Sequence, residues 1–342
     1  MRAVIVREHG GPEVLRLEEL PDPTPGPGEV VVRVRACALN HLDVWHRKGI
    51  PGAPFLLPCI TGADISGDVE ALGEGVEGVT EGESVMVLPT LSCGACERCA
   101  RDEDPLCRSF GILGETCNGG LAERVVVPAR NVFPKPANIS YEIAAAASLS
   151  TLTAWHMLIS RARLRAGETV LVHGGASGVG SAAIRIAKHH GATVIATAST
   201  TEKLDAARGL GADHLVNYAE DDFVSAVRAV VGKAGVDVVF EHVGGEVFER
   251  SLRCLGWGGR LVTCGATTGI DAKVNLRHLF FKGQSILGST MGSRAEFADI
   301  VRLLGEGALE PLIDRVLPLD QIAQGHEALE SRSAVGKVVM TP

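Results

Sequence analysis

Positive charge, long apolar runs and paired cysteines are what this 342-residue chain is short of. Its 33 lysines and arginines face 41 aspartates and glutamates, for a net charge of −8 and a pI near 5.8. A surface of that sign lacks the basic field that holds nucleic acid, so DNA and RNA are not expected as partners. The single local basic run, Arg161, Arg163 and Arg165, reads as the solvated end of a helix. No stretch reaches the about 18 uncharged apolar residues of a membrane span. The opening MRAVIVREHG has no signal-peptide core, and a cytoplasmic protein without membrane partners is expected. Nine cysteines are an odd number, which argues against a disulfide framework and for reading local clusters as metal sites.

What is present is ample core: 46% of the residues are hydrophobic, in a length that suits about two domains. The chain is organised around ETVLVHGGASGVGSAAIRIAKHHG, residues 168–191. Its first part, TVLVH, is short, continuously apolar and β-branched, as a strand buried on both faces of a parallel sheet should be. Past Gly178, residues Val179, Ala182, Ala183, Ile186 and Ala187 fall on one helix face, and Gly191 stands where a helix end favours positive φ. A strand, a glycine turn and a helix start in succession make a seat for a dinucleotide pyrophosphate, with Gly175, Ser177, Gly178, Val179 and Gly180 as the contacts. Ser177 stands where the usual fingerprint has its second glycine, which crowds the closest approach.

The N-terminal part is β-rich. Residues 2–7 and 30–36 read as strands, the second with Val30, Val32, Val34 and Ala36 on one face and Arg33 and Arg35 on the other. Glycine-punctuated short strands continue to about residue 89, as in a small, mostly antiparallel barrel. The run CGACERCARDEDPLC then sets Cys93, Cys96, Cys99 and Cys107 at spacings of two, two and seven residues. Four thiolates close a tetrahedron round Zn²⁺ with no open position, so this metal is expected to be structural. Cys37, Cys59, Cys117, Cys254 and Cys264 sit among apolar neighbours and read as small hydrophobes.

From about Ile143 an alanine-rich helix leads into the central strand, and strands then alternate with helices. The order is TVIATA, a helix at 201–209, HLVN, a helix near 222–231, VDVVF, a helix near 247–255, and RLVTC. The fold expected is α/β, a Rossmann doubly wound parallel sheet over 147–287, joined to a discontinuous β-rich domain of 1–146 and 288–342. The tail is expected to carry one amphipathic helix, 295–304.

These motifs occur in an order that resembles the medium-chain dehydrogenase/reductase superfamily over essentially the whole chain. They are CALNHLD at 37–43, GADISGDV at 62–69, the cysteine lobe, GGASGVG, GVDVVFEHVGG at 235–245 and GGRLVTCGATTG at 258–269. The resemblance implies a GroES-like catalytic domain wrapped before and after the Rossmann domain and an active site in the cleft between them. It also implies subunits paired as a homodimer or tetramer through the sheet edge near 284–289, and cofactor contacts from Gly265 and Ala266. The cysteine lobe resembles the structural metal site of the zinc alcohol dehydrogenases. At the catalytic metal positions of those enzymes this chain has Asn40, Ala63 and Leu149, and Leu42 replaces the hydroxyl that relays the alcohol's proton. Asn40 and Asp43 instead resemble the zinc-free quinone oxidoreductases.

The expected activity is hydride transfer between a nicotinamide cofactor and a small quinone, enone or aldehyde, without catalytic zinc, using Asn40, His41, Asp43, Asp64 and Thr153. Two alternatives stand beside it: a metal site rebuilt from Cys37, Cys59, His41 and Asp64, and a nucleotide-binding protein without turnover. Asp43 and Asp64 have a second reading as turn caps or as partners of Arg47 or Lys48, His41 as a cofactor phosphate contact, and His46 as a surface residue. The residue expected to meet the adenosine ribose is Ala198 rather than an acid. Ser199, Thr200, Thr201 and Lys203 follow it, and Lys203 with Tyr218 resembles the pair that holds a 2′-phosphate in quinone oxidoreductases. NADP(H) is therefore favoured, and Glu202 keeps NAD(H) open. Loops 45–57 and 270–282 are expected to shape the acceptor pocket.

Overall fold

The computed structural model describes residues 1–50, 52 and 55–342, and the chain divides into two compact units, 1–152 with 292–342, and 153–291. Both boundaries fall a few residues later than those read from the sequence. In the first unit the strands are β1 (Arg2–Val6), β2 (Leu15–Glu19), β3 (Glu29–Ala38), β4 (Cys59–Ile60), β5 (Asp64–Leu72), β6 (Ser84–Val87), β7 (Thr90–Leu91), β8 (Gly111–Ile112), β9 (Arg124–Pro128) and β10 (Val132–Pro134). Helix α1 (His41–Lys48) lies between β3 and β4, and α2 (Tyr141–Ala146) follows β10. Helix α3 (Ser148–Trp155) then carries the chain into the second unit.

The second unit is a six-stranded parallel sheet ordered β13-β12-β11-β14-β15-β16. In chain order its elements are β11 (Thr169–Val172), α4 (Gly178–His189), β12 (Thr193–Ala198), α5 (Thr201–Gly209), β13 (His214–Asn217), α6 (Phe223–Val231), β14 (Val236–Glu241), α7 (Gly245–Ser251), β15 (Leu255–Thr263), α8 (Leu276–Phe281) and β16 (Ser285–Gly288). Leu171, Ile195, Val216, Val239 and Leu261 on five of these strands form its core, which explains their unbroken apolar runs. Helices α4, α5 and α6 start on side-chain caps that take an otherwise orphaned amide: Ser177 from Gly180, Thr200 from Lys203 and Asp222 from Ser225.

The chain then returns to the first unit as α9 (Arg294–Gly305), β17 (Ile313–Pro318), α10 (Ile322–Glu330) and β18 (Lys337–Thr341). A mixed sheet runs β10-β6-β5-β3-β18-β17, with β9 also on β3. In β3 the valines Val30, Val32 and Val34 are buried while Arg33 and Arg35 are exposed and pair with Glu70 and Asp68 on β5.

Several expectations need correction. Helix α1 and helix α10 were not anticipated: α1 is mostly polar along its length, and α10 carries Gly325 inside it. The helix expected to reach residue 255 ends at Ser251, and Leu255 already belongs to β15. Residues 276–281 of the supposed loop 270–282 are helix α8. Among the described residues one helical stretch, Tyr141–Arg161, is long and apolar enough by composition to span a membrane, contrary to the reading of the sequence. Its most apolar window is 72% buried within the protein, so its hydrophobicity serves the core.

Candidate active site and metal centre

The cysteine lobe gathers Cys93, Cys96, Cys99 and Cys107 with all four sulfurs within 4.8 Å of one another. Neighbouring sulfurs stand 3.6 to 3.9 Å apart. Thiolates about 2.3 Å from a tetrahedral zinc stand about 3.8 Å from each other, so the four residues fit the ion. Backbone amides of Ala95 and Cys96 aimed at the Cys93 sulfur hold its thiol down to about 6, which favours the thiolate that a metal needs. The lobe is tied to the rest of its unit through Asp104, which is buried. Its Oδ1 accepts the Ser92 hydroxyl at 2.6 Å and its Oδ2 the Arg294 amide at 3.1 Å, at the first turn of α9.

In the second unit, the glycine turn follows β11 directly. A Cβ on Gly180 would lie 2.2 Å from the Gly174 carbonyl, so only glycine lets the first turn of α4 sit this close to the strand. Ser177, which was expected to crowd a pyrophosphate, caps α4: its Oγ accepts the Gly180 amide at 3.0 Å. Gly178 and Val179 open α4 itself, and Gly175 donates its amide to the Thr197 carbonyl at 2.9 Å. Below the turn, His173 is buried and its pKa falls to about 3 through burial. The Ser251 hydroxyl donates to the Val247 carbonyl, so it must accept from His173 Nε2, and Nδ1 in turn accepts from Thr197. Burial and these bonds keep that histidine neutral. Ser199 follows the end of β12, Lys203 lies in the first turn of α5, and Tyr218 follows β13, half-exposed. The Tyr218 amide donates to the Ala198 carbonyl at 3.1 Å, which sets these side chains at neighbouring strand ends. Gly265 and Ala266 follow β15 at the same carboxyl edge.

The polar residues of the first unit meet because of sheet register. Ala38 of β3 pairs with Asp64 of β5 and with Val339 of β18, which brings Asn40, Asp64 and Lys337 to one end of three adjacent strands. Lys337 Nζ donates to Asn40 Oδ1 at 2.6 Å and to Asp64 Oδ2 at 2.7 Å. Asn40 Nδ2 donates to the same Asp64 oxygen at 3.0 Å, and the Leu149 amide, in the first turn of α3, donates to Asp64 Oδ1 at 2.6 Å. An ammonium only donates and a carboxylate only accepts, so these bonds fix the orientation of the Asn40 amide. Asp64 has no solvent exposure and the Lys337 side chain 4%, a desolvated pair that stays favourable because every carboxylate oxygen is bonded.

Asp43 is buried beside this network. Its Oδ2 accepts the Asn40 amide at 2.7 Å, as the return arm of a cap on α1, and its Oδ1 accepts the Gly62 amide at 2.9 Å. Gly62 has φ of 97° and Cys37 Sγ would lie 2.7 Å from a Cβ there, so a side chain is excluded. Burial pushes the Asp43 carboxyl up to about 6. Arg47 and Lys48 pair with Glu330 and not with Asp43 or Asp64. His46, expected at the surface, is fully buried against Phe55, because α1 turns that face inward. His41 is half-buried against Trp45.

Among the residues named from sequence, the structure brings Asn40, Asp43 and Asp64 together. Thr153 belongs to the other unit, where its hydroxyl faces Met291 Sδ at 3.8 Å. Lys337 was not anticipated; the only hint in the sequence is a single lysine opening an apolar strand. Of the proposed pocket loop 45–57, residues 51, 53 and 54 lie outside the described residues.

Residues 26–137 match the family model described as alcohol dehydrogenase GroES-like domain, and residues 178–306 the one described as zinc-binding dehydrogenase. A quinone oxidoreductase of Sus scrofa is 32% identical over 348 residues, covering 99% of this chain and 97% of its own length. The chain belongs to the medium-chain dehydrogenase/reductase superfamily. This medium-chain dehydrogenase/reductase is also 30% identical to a 2-haloacrylate reductase of a Burkholderia species, over 99% of this chain and 98% of the relative. A crystal structure of an NAD-dependent alcohol dehydrogenase superposes with a TM-score of 0.96 at 48% identity, covering 100% of both chains. Membership makes the protein an NAD(P)-dependent oxidoreductase, and the reading as a nucleotide-binding protein without turnover is set aside.

Proposed function

We propose that this medium-chain dehydrogenase/reductase uses NADPH to reduce a conjugated acceptor of the quinone or enone class, with no catalytic metal. The observation that carries this reading is the seat of Lys337. At the three positions where zinc alcohol dehydrogenases hold their ion, Asn40 gives its amide oxygen to Lys337, Ala63 offers no donor, and the Leu149 amide is spent on Asp64. Asp64, the acid that a rebuilt site would need, has both oxygens committed. The four cysteines of the lobe would hold a structural zinc that supports folding.

A bound nicotinamide would supply the hydride. An acceptor that takes a hydride gathers negative charge on its oxygen. Asn40, fixed by Lys337, keeps one amide hydrogen that no described residue takes, and an acceptor's oxygen is the group it suits. The nearby ammonium biases the same site toward a developing anion. Alcohol oxidation would need a route out for the hydroxyl proton, and Leu42 provides none.

The adenosine end favours the 2′-phosphate. Ala198 ends β12 without an acid, while Ser199, Thr200, Lys203 and Tyr218 offer hydroxyls and a cation, and Glu202 is the feature that suits NAD. The subunits pair through the β16 edge, beside exposed Leu276, Phe280, Phe281 and Trp257. Nine cysteines without a disulfide among them, four of them gathered as a metal site, support a reducing, cytoplasmic setting. A second reading, an NAD-dependent alcohol dehydrogenase, is favoured by the 48% identity to the enzyme of that name.

Metal counting on protein purified without added zinc, run beside a panel of quinones, enones, aldehydes and alcohols, tests these readings. One zinc per chain with NADPH oxidised by quinones or enones supports the first. Two zincs, with alcohol turnover lost on mild chelation, would establish the second.

A further inference from the structure

We propose that Glu241 is a positioning residue for the nicotinamide half of the cofactor seat, an inference that rests on the chain binding a nicotinamide dinucleotide. Glu241 ends β14 and has no solvent exposure. Its Oε1 accepts the amides of Val243 and Gly244, each at 2.7 Å, and its Oε2 accepts the hydroxyl of Thr263, the last residue of β15, at 3.0 Å. A carboxylate taken out of water is costly, and one bonded to two successive backbone amides and a neighbouring strand end acts as a clamp on the loops it touches.

Those loops are 242–245 after β14 and 264–269 after β15, and they are sewn together. The Thr268 amide donates to the Val243 carbonyl at 2.8 Å, Thr267 Oγ1 to the His242 carbonyl at 3.1 Å, and the Gly245 amide to the Gly269 carbonyl at 3.1 Å. Amid this stitching the amides of Gly265, Ala266 and Thr267 take no partner among the described residues. The strand order reverses between β11 and β14, so a dinucleotide with its pyrophosphate at the glycine turn sends one nucleoside toward β12 and β13 and the other toward β14 and β15. The Ser199 and Tyr218 side carries the groups that suit adenosine. The nicotinamide then faces the row of amides that Glu241 holds in place, and the Glu241 carboxylate itself is spent on the loop after β14 and the end of β15.

Equilibrium binding of two ligands separates positioning from general structure: the whole reduced cofactor, and its adenine half, ADP-ribose or 2′-phospho-ADP-ribose. Glu241→Ala should weaken the whole cofactor about tenfold or more, as expected for loss of buried charge-assisted bonds, and leave the adenine half within about twofold. Glu241→Gln, whose carbonyl still accepts both backbone amides, should recover most of that loss. Parallel weakening of both ligands, or no change in either, overturns the role. Should Glu241→Ala fail to fold, Thr263→Val removes one donor to the same carboxylate at nearly constant volume. It carries the same expectation at about threefold, with the same two overturning results. A wild-type chain that binds neither ligand would sink the cofactor reading itself, whereas the Glu241 role fails only against a wild type that binds both.

Discussion

Two places in the first unit gather polar groups round a point that must be electrically balanced, and they do it in opposite ways. The cysteine lobe offers four cysteine sulfurs on a surface loop, spaced for an ion that comes from outside. The Asn40, Asp64 and Lys337 network supplies its cation from the chain, an ammonium held in a sheet core by two bonds of 2.6 and 2.7 Å. The lobe can lose and regain its charge with metal supply. The network cannot, because its cation is covalently part of β18. On the proposed reading, stability that depends on zinc and chemistry that does not would coexist in one domain.

The comparison breaks most visibly at the lobe. Cys96→Ser should lower the melting temperature by about 10 °C or more, since thiolate–metal bonds contribute folding free energy directly, while turnover per folded molecule stays near wild type. A folded but inactive Cys96→Ser protein would overturn the separation of the two sites.

Next comes the internal cation. Lys337→Met leaves Asp64 buried and unpaired and should cost about 3–5 kcal/mol in denaturant unfolding. Adding Asp64→Leu to Lys337→Met should restore much of that stability without restoring turnover. If the double variant is no more stable than Lys337→Met, the two side chains are not energetically a pair.

A smaller effect lies in pH. The Asp43 pKa is raised from 3.8 to about 6 in the folded protein, so between those values the folded state binds more protons than the unfolded one. This group's contribution to stability is therefore favourable at low pH and falls as pH rises through about 4 to 6, by roughly 3 kcal/mol in all. Activity should move the other way. Protonation makes one Asp43 oxygen a hydroxyl, a much weaker acceptor for the Asn40 or Gly62 amide, so kcat/KM should drop as pH falls through about 6. A wild-type profile flat from pH 5 to 7, or an acid limb unchanged in Asp43→Asn, would show that this carboxyl does not govern the site.

The smallest effect concerns the second unit alone. Lys203→Ala should weaken NADPH about tenfold and leave NADH nearly unchanged, the scale of one charge-assisted bond to a phosphate. Equal weakening of both cofactors would remove Lys203 from the 2′-phosphate.

How legible these features were from sequence follows the distance over which they are specified. Strands β12 and β13 and helix α5 were read to the residue, because their apolar runs, caps and glycines are local signals. The four cysteines lie within fifteen consecutive residues and were equally plain. Lys337 bonds a carboxylate 273 residues away, and nothing near it in the chain records that register. Asp43 was legible as polar and near the site, but its bond to Gly62 depends on how α1 settles against the turn before β5. Helix α1 itself was hidden because its inward face is built from Asp43, His46 and Arg47 as much as from Val44.

The bond from Asp104 to the Arg294 amide joins the cysteine lobe to a helix 190 residues further along the chain. That amide belongs to none of the residues assigned to the candidate site, and its shelter from solvent depends on the lobe keeping its shape. Its hydrogen–deuterium exchange rate is therefore an internal gauge of metal occupancy, readable in a working enzyme while the reaction proceeds undisturbed.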